Sequence, residues 1–496
     1  RSRRQRQMCI RDRLTILKTF IPNSKTNTMK KYRILTVGFV LVGIFSLQSC
    51  FVAKEYNRPQ EITTEAYYRT DELVKDSTTI AKVSWKEVFT DASLQSLIDK
   101  GLSNNLDIRN AMQNIRIAEA YMKQGRAQYF PTFSVGPKFT LTESSANSSM
   151  GRFTGKQTQR QYELSGAMSW ELDIWGRIKS NQRATEATFL QTLAAHQAVK
   201  TSIISMIANA YYQLLALDEQ KKIAQEAIVN RTQSLETTKA LKDAGQVTEV
   251  AVNQTEAQLL SAESLLLDIN RQIRLQENYI SYILGESSTE INRSSLDSQV
   301  INTTLAIGVP AQILENRPDV KAAEFGLANA FHLVNAAEAN FYPRLTIDAS
   351  GGVQGIELDK LFDHQSLFAN VLAGLTQPIL NRRQIKTQKE VALVQQEQAL
   401  LKYKQAILLA SKEVSDAMYQ YDAASKKIDL KQQESTVLKS AVSNSEELLN
   451  YGMANYLEVI TARDSALNAD LGLVNIKLAK LQSLVELYRA LGGGVQ

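Results

Sequence analysis

Apolar residues recur at alternating spacings of four and three along the last part of the chain. They fall at Leu467, Leu471, Val474, Leu478, Leu481, Val485 and Tyr488. This spacing is typical of a coiled-coil seam. A stretch that begins near residue 382 has the same spacing, with glutamine at two of its positions: Val391, Val394, Gln398, Leu401, Gln405 and Leu408. We interpret the two stretches as the arms of one helical hairpin over residues 382–490.

The outgoing arm is long, and a glycine marks its turn. Residues 382–450 contain neither Pro nor Gly, so one helix of roughly 100 Å is possible at about 1.5 Å per residue. Gly452 then provides a residue without Cβ where the chain must reverse. On the hairpin alone, a structural coiled coil and a more specialised role remain equally open.

The same plan occurs once more, about 210 residues earlier in the chain. Residues 130–134 match residues 342–346, and Gly245 matches Gly452. Period-2 alternation predicts strands at residues 131–141 and 161–172, and again at 343–353 and 367–377, the last with blurred alternation. The first repeat is therefore predicted over residues 50–310, with its helical hairpin at 181–284, and the second over residues 311–496.

The start of the chain carries most of its positive charge. The formal net charge is +6, but residues 1–28 are rich in Arg and are interpreted as an upstream leader, with a native basic arm as the alternative. Residues 29–49 have the charged start and short apolar run of a signal peptide. Once residues 1–49 are removed, the formal net charge of the remaining chain is negative, so nucleic acid is not indicated as a partner.

The signal peptide ends in Leu47-Gln48-Ser49-Cys50, which resembles the lipobox of bacterial lipoproteins. The resemblance implies that Cys50 is acylated, and Phe51 after it favours the outer membrane under lipoprotein sorting rules. A secreted protein with an incidental cysteine is the alternative. Cys50 would be the single cysteine of the mature chain, which leaves no disulfide or thiolate metal cluster.

Four strands of about ten residues cannot close into a membrane barrel, and open sheet edges are not tolerated in lipid. Several chains must therefore contribute strands, and three chains would supply twelve. The off-seam faces of the long helices are rich in Ala, Ser, Thr and Gln, which suits a water-filled interior. A conduit follows from this arrangement.

Several motifs make the resemblance to a known family specific. They are ELDIWGR at residues 171–177, AYY at 210–212, LD at 217–218, NRPDV at 316–320, FYP at 341–343 and YRALGGG at 488–494. The chain resembles, over residues 50–496, the TolC-like outer-membrane efflux proteins, in particular the NodT-type lipoprotein branch of the outer membrane factors that work with RND-type pumps.

The resemblance implies a fold that is mainly α with a transmembrane β-barrel. A homotrimer would form a twelve-stranded outer-membrane barrel, continuous with a long periplasmic α-helical barrel of coiled-coil hairpins. The loops at residues 143–159 and 354–365 would face the cell exterior. The chain would conduct substrates passively from a periplasmic adaptor and an inner-membrane pump, with gating at the periplasmic helix tips.

The resemblance also implies roles for particular residues. The candidate adaptor contacts at the two tips are Gly245, Gln246, Val247, Gly452, Met453 and Ala454. Glu458 is the candidate aperture acid, and Thr461 replaces a second acid of the family pattern. Arg463 and Asp464 are candidates for ion pairs between helices that hold the tip closed.

No catalytic site or metal site is predicted, and no cofactor beyond the lipid on Cys50. The histidines, His196, His332 and His364, lack the spacing of metal ligands or of a catalytic triad. Arg317-Pro318-Asp319 is interpreted as a helix start. The alternatives left open are a periplasmic coiled-coil lipoprotein that acts as a scaffold or adaptor, which would have no use for the four strands, and a duct for protein secretion. The transported substrate is not indicated.

Overall fold

The computed structural model describes residues 53–59, 84–149, 151–299 and 317–493. The leader, the signal peptide with Cys50, and the predicted boundary between the repeats lie outside the described residues. The helices are α1 (Trp85–Val88), α2 (Ala92–Asn104), α3 (Leu106–Ala127), α4 (Gly151–Thr154), α5 (Arg177–Asp243), α6 (Glu249–Leu284), α7 (Pro318–Ala339), α8 (Gln384–Asn450) and α9 (Tyr456–Ala490). The strands are β1 (Thr132–Glu143), β2 (Thr158–Leu172), β3 (Arg344–Gly355) and β4 (Leu367–Thr376).

The four strands form one antiparallel sheet in the order β1-β2-β3-β4. Its register places Phe133, Met168, Ala349 and Val371 side by side across the strands. The next row, on the opposite face, contains Thr132, Ser169, Asp348 and Leu372. Because side chains alternate between the faces of a sheet, one face is apolar except at its far end, where Glu143, Thr158 and Arg160 lie, and the other is mainly polar. The apolar face is open: Phe133 is 73% exposed and Val371 is 72% exposed.

The helices stand side by side as a wall of four columns below the sheet. The first column is α3 stacked above α6, the second is α5, the third is α7 stacked above α9, and the fourth is α8. The packing that establishes this order joins α5 to α3 and α6, then α5 to α7 and α9, and finally α8 to α7 and α9. The columns thus follow the order of the strands to which they are connected.

In both stacked columns, the same kind of hydrogen bond joins the two helices: the N-cap side chain of the upper helix donates to a carbonyl oxygen at the end of the lower helix. Asn105, the N-cap of α3, donates from Nδ2 to the carbonyl oxygen of Ile283 at the end of α6, at 2.7 Å. Arg317, the N-cap of α7, donates from Nη1 to the carbonyl oxygen of Ala490 at the end of α9, at 2.9 Å. Each upper helix therefore satisfies a terminal carbonyl of the helix below it.

The main apolar core lies at the level of these junctions. Phe89 contacts Tyr488 edge to face at a ring-centroid distance of 5.6 Å, and both side chains are buried. Tyr211 of α5 is also buried, and its hydroxyl donates to Asp91 at 2.8 Å. The segment formed by α1, α2 and the residues between them therefore packs against the middle of the helical wall.

The predicted seam of the hairpin is correct in α9 and wrong in α8. In α9 the residues from Val474 to Tyr488 at the predicted positions are buried. In α8 the predicted positions, including Val391, Val394, Leu401 and Leu408, are exposed. Helix α8 instead packs on α9 and α7 through the opposite face, which contains Tyr403, Ile407, Ala410 and Val414.

Candidate functional site

The two hairpin turns lie at the end of the wall that is far from the sheet, and they have the same backbone structure. Gly245 has φ 74° and Gly452 has φ 70°, in the left-handed region that glycine adopts without strain. The N–H of Gln246 donates to Leu241 O at 2.9 Å, and that of Met453 donates to Leu448 O at 2.8 Å. These are Schellman bonds, which end a helix sharply.

The predicted contact residues at both turns are accessible. Gly245, Gln246, Gly452 and Met453 are exposed, while Val247 and Ala454 are half-buried. The hydroxyl of Tyr456, after the second turn, donates to Gln254 Oε1 of α6 at 2.9 Å. The structure therefore brings the predicted tip residues of both repeats to the same end of the molecule.

A network of polar side chains joins the four long helices of the two hairpins, α5, α6, α8 and α9, a few turns above the tips. Asp464 of α9 accepts from Arg231 of α5, and also from Gln258 Nε2 of α6 at 2.8 Å. Arg463 donates from Nε to Glu446 Oε1 of α8 at 2.7 Å, and from Nη1 to the carbonyl oxygen of Asn230 at 2.6 Å. The predicted ion pairs of Arg463 and Asp464 between helices are thus present.

Arg231 and Glu446, the partners in these ion pairs, were not identified from the sequence. Arg231 occupies a buried position in the apolar stripe of α5, between Ala224 and Leu235 at heptad spacing. Burial lowers the pKa of the Arg231 guanidinium from its ordinary value, and the Asp464 carboxylate opposes this shift. A lone arginine in an apolar stripe is the signal that could have revealed this site.

The network borders a cavity of about 580 Å³ between the two hairpins. At its other side Asp470 of α9 accepts from Ser435 of α8 at 2.6 Å and pairs with Lys439 at 3.0 Å. Side chains of α9 therefore form hydrogen bonds and ion pairs with both neighbouring long helices, α5 and α8, along this part of the wall.

Glu458 and Thr461 face a different direction from the network. Both are exposed, and together with Leu438 and Ser465 they line a shallow groove between α8 and α9. Asn455 caps α9 by accepting from the Glu458 N–H at 3.1 Å, and the Thr461 hydroxyl donates to Leu457 O at 2.8 Å. The structure thus places the two residues together on one face of α9.

Residues 55–58 are attached to the upper part of the wall. Glu55 pairs with Arg183 of α5 at 3.7 Å. Arg58 forms a two-pronged ion pair with Glu324 of α7, at 2.8 and 2.6 Å. Between them, the Tyr56 ring contacts Phe331 edge to face at 5.7 Å.

In the described parts of the chain, no group of three His, Cys, Asp or Glu side chains is arranged to hold a metal ion. None of the helices in those parts has both the length and the apolar character needed to cross a bilayer.

Comparison with known proteins gives matches along almost the whole chain. The solvent efflux pump outer membrane protein SrpC of Pseudomonas putida is 26% identical over 464 residues, which cover 92% of this chain and 97% of that protein. The cation efflux system protein CusC of Escherichia coli O6:H1 is 27% identical, over 91% of this chain and 97% of that protein. The solved structure of the outer-membrane channel OprN superposes with a TM-score of 0.84 at 24% identity, over 90% of this chain and 100% of that one.

The comparisons confirm the fold class predicted from the sequence. The sheet is a segment of a transmembrane β-barrel, and the columns are a segment of the helical barrel that continues it. The protein is an outer-membrane channel of an efflux system, with a periplasmic extension. The family described as "Outer membrane efflux protein" matches residues 97–286 and 309–493. The chain therefore belongs to the outer membrane efflux protein family.

Proposed function

We propose that three copies of this chain form one duct, which conducts substrates passively from a periplasmic adaptor and an RND-type inner-membrane pump to the cell exterior. The sheet is the observation that carries this proposal. Its apolar face is open across all four strands, and in the described residues β1 and β4 each pair on one side only. Four strands cannot close alone, whereas three copies supply twelve.

The native mass of the detergent-solubilised mature protein tests the assembly. A trimer is expected, because only a closed barrel leaves no strand edge in lipid. A stable monomer would contradict the shared barrel.

The duct itself is proposed not to select its substrate. SrpC is named for solvent efflux and CusC for cation efflux, yet this chain is similar to both at nearly the same identity. The described residues also show no cluster of metal-binding side chains. Substrate choice is accordingly assigned to the pump.

The tip is proposed to be both the docking site and the gate. Gly245, Gln246 and Val247 of one turn and Gly452, Met453 and Ala454 of the other would contact the adaptor, because they form the accessible end of the helices. The ion pairs of Arg463 and Asp464 would hold α9 against its neighbours in the closed state. Glu458 and Thr461, on another face of α9, would line the aperture.

Cys50 is proposed to carry the lipid that anchors the chain in the outer membrane. Glu55 is held at Arg183, near the sheet end of α5. Glu55 follows Cys50 by five residues in the sequence. Cys50→Ala should abolish incorporation of labelled palmitate into the protein, and undiminished labelling would contradict the assignment.

A further inference from the structure

We propose that Thr158, Arg160 and Tyr162 of β2 form a binding site for a phosphorylated lipid of the outer leaflet, whose phosphate is bound by the Arg160 guanidinium. These three residues, which we term the rim row, lie on the membrane side of the sheet, at the end far from the helical wall. All three belong to one chain, so the site does not depend on how many copies form the barrel.

The register of the sheet places the rim row on its apolar face. Tyr162 is level with Phe139 and Arg160 is level with Leu141, and both positions alternate in step with Met168 of the same strand. Strand β2 pairs with β1 on one side and with β3 on the other, so the row lies away from both free edges of the sheet. In a transmembrane barrel the apolar face contacts lipid, and the rim row therefore borders the membrane.

The height of Arg160 on the strand corresponds to the thickness of the apolar part of a membrane. Trp170 lies on the same face of β2, near the end that leads into α5. From Trp170 to Arg160 the strand extends about 33 Å at about 3.3 Å per residue, and a tilt of about 40° reduces this to about 25 Å along the membrane normal. The apolar band of outer-membrane barrels is also about 25 Å tall. Since the helical wall lies on the periplasmic side, Arg160 lies at the headgroup level of the outer leaflet.

The polar groups of the rim row are available to a ligand. Within the described parts of the chain, the side chains of all three residues form neither a hydrogen bond nor an ion pair with other protein groups. Two carboxylates of the adjoining loops have cations of their own: Glu143 pairs with Lys156 at 2.5 Å, and Glu357 pairs with Lys360. The positive charge of Arg160 therefore remains available for an anionic group outside the protein.

A phosphorylated lipid matches both the polar and the apolar part of this surface. A guanidinium binds phosphate through paired, charge-assisted hydrogen bonds, and the hydroxyls of Thr158 and Tyr162, each about 7 Å from Arg160 along the strand, can donate to further headgroup oxygens. Toward the membrane interior, the Phe139 ring contacts the Tyr162 ring at a centroid distance of 5.1 Å, and Leu141 is 58% exposed. These apolar groups can contact acyl chains, which a soluble phosphate lacks. A lipid is therefore the occupant that fits the whole site.

Native mass spectrometry of the delipidated, detergent-solubilised protein tests the site, with bisphosphorylated lipid A as the added probe. Arg160→Gln should weaken lipid A binding at least about ten-fold, because the hydrogen-bonded charge pair with the phosphate is lost. Tyr162→Phe removes one hydroxyl and should weaken binding about three-fold. The matched control is Lys138→Gln, which removes the same charge from the neighbouring strand but on the opposite face of the sheet. It should bind lipid A like the unmodified protein.

Phosphatidylglycerol, an anionic phospholipid, serves as the second probe and separates this site from a general attraction of anionic lipids. Weaker lipid A binding by Arg160→Gln, with the control unchanged and with weaker binding of phosphatidylglycerol throughout, would support the site. Undiminished lipid A binding by Arg160→Gln, or equal losses in Arg160→Gln and Lys138→Gln, would overturn it. Equal affinity for the two lipids, lost equally in Arg160→Gln, would also overturn the assignment to the outer leaflet.

Tyr162→Phe provides the same decision through a smaller change if Arg160→Gln does not assemble: undiminished lipid A binding by Tyr162→Phe would then overturn the site. The native mass of the unmodified protein, recorded in the same spectra without lipid, tests the proposed duct separately. A trimer whose lipid A binding is insensitive to the rim row would overturn the lipid site and leave the duct standing.

Discussion

Arg317 shows how a single residue holds the stacked helices together. It is 3% exposed, and its guanidinium donates to Asp319 at 3.0 and 2.6 Å and to the carbonyl oxygen at the end of α9. It also forms an ion pair with Glu413 of α8 at 2.7 Å. Burial acts to lower the pKa of Arg317, but the Asp319 and Glu413 carboxylates outweigh it, and the pKa is raised. The charge is thus fully paired, and it also faces the negative end of the α9 dipole.

Replacing Arg317 should therefore weaken the wall. Arg317→Met leaves Asp319 without its partner and the α9 carbonyl without its donor, so we expect a loss of about 3 to 5 kcal/mol in the free energy of unfolding. Chemical denaturation of the solubilised protein, followed by circular dichroism, measures the loss. The matched control is Arg271→Met, which removes an exposed arginine paired with Asp268 in α6 and should change stability by less than about 0.5 kcal/mol. Equal losses in the two variants would contradict the role of Arg317.

The sequence predicts only part of this site. Pro318 and Asp319 identify the start of a helix, and α7 does begin at Pro318. The buried ion pair of Arg317 was not predictable from the same motif. Its partners Glu413 and Ala490 are distant along the chain, and local sequence rules contain no information about such contacts.

At the scale of the helical elements, the turn requires glycine at position 452 because of its backbone conformation, and not because a side chain would clash there. A Cβ added there would meet no atom within 4 Å, but φ is 70°. A β-branched residue in this left-handed conformation costs roughly 1 to 2 kcal/mol, whereas asparagine tolerates it.

Gly452→Val should accordingly distort the second tip and reduce its cross-linking to the adaptor of the same efflux system several-fold. Gly452→Asn is the matched control, because it adds a side chain but keeps the turn, and it should cross-link like the unmodified protein. Site-specific photo-cross-linking from Ala454 with the purified adaptor measures both. If Gly452→Val cross-links at full strength, the second turn is not a docking element.

Helices α8 and α9 show where prediction of elements succeeds and fails. Spacing correctly identifies both helices and the buried stripe of α9. The equally regular stripe of α8 was assigned to the same hairpin, yet it lies on the uncovered face. Periodicity shows that a stripe needs a partner, but it does not identify the partner. Alternation in β4 is blurred because Phe368 and Leu372 lie on the face opposite Val371.

At the scale of the whole molecule, α9 carries two separate groups of polar residues near the tip. Arg463 and Asp464 tie α9 to α5, α6 and α8, while Glu458 lies on another face, in the groove next to Thr461. In a trimer, three copies of Glu458 would surround the axis and repel each other across a narrow opening. The ties of Arg463 and Asp464 would then oppose that repulsion in the closed state.

Glu458→Ala should raise the single-channel conductance in a planar bilayer, because it removes both the bulk and the charge of the ring. Glu458→Gln separates the two contributions: it keeps the size, so conductance should change less, but the preference for cations should fall. Glu256→Ala, which removes an exposed carboxylate from α6, controls for a general loss of charge near the tip. Unchanged conductance and unchanged ion selectivity in both Glu458 variants would remove this residue from the aperture. The ties of Arg463 and Asp464 would then be the remaining candidates for the closed gate.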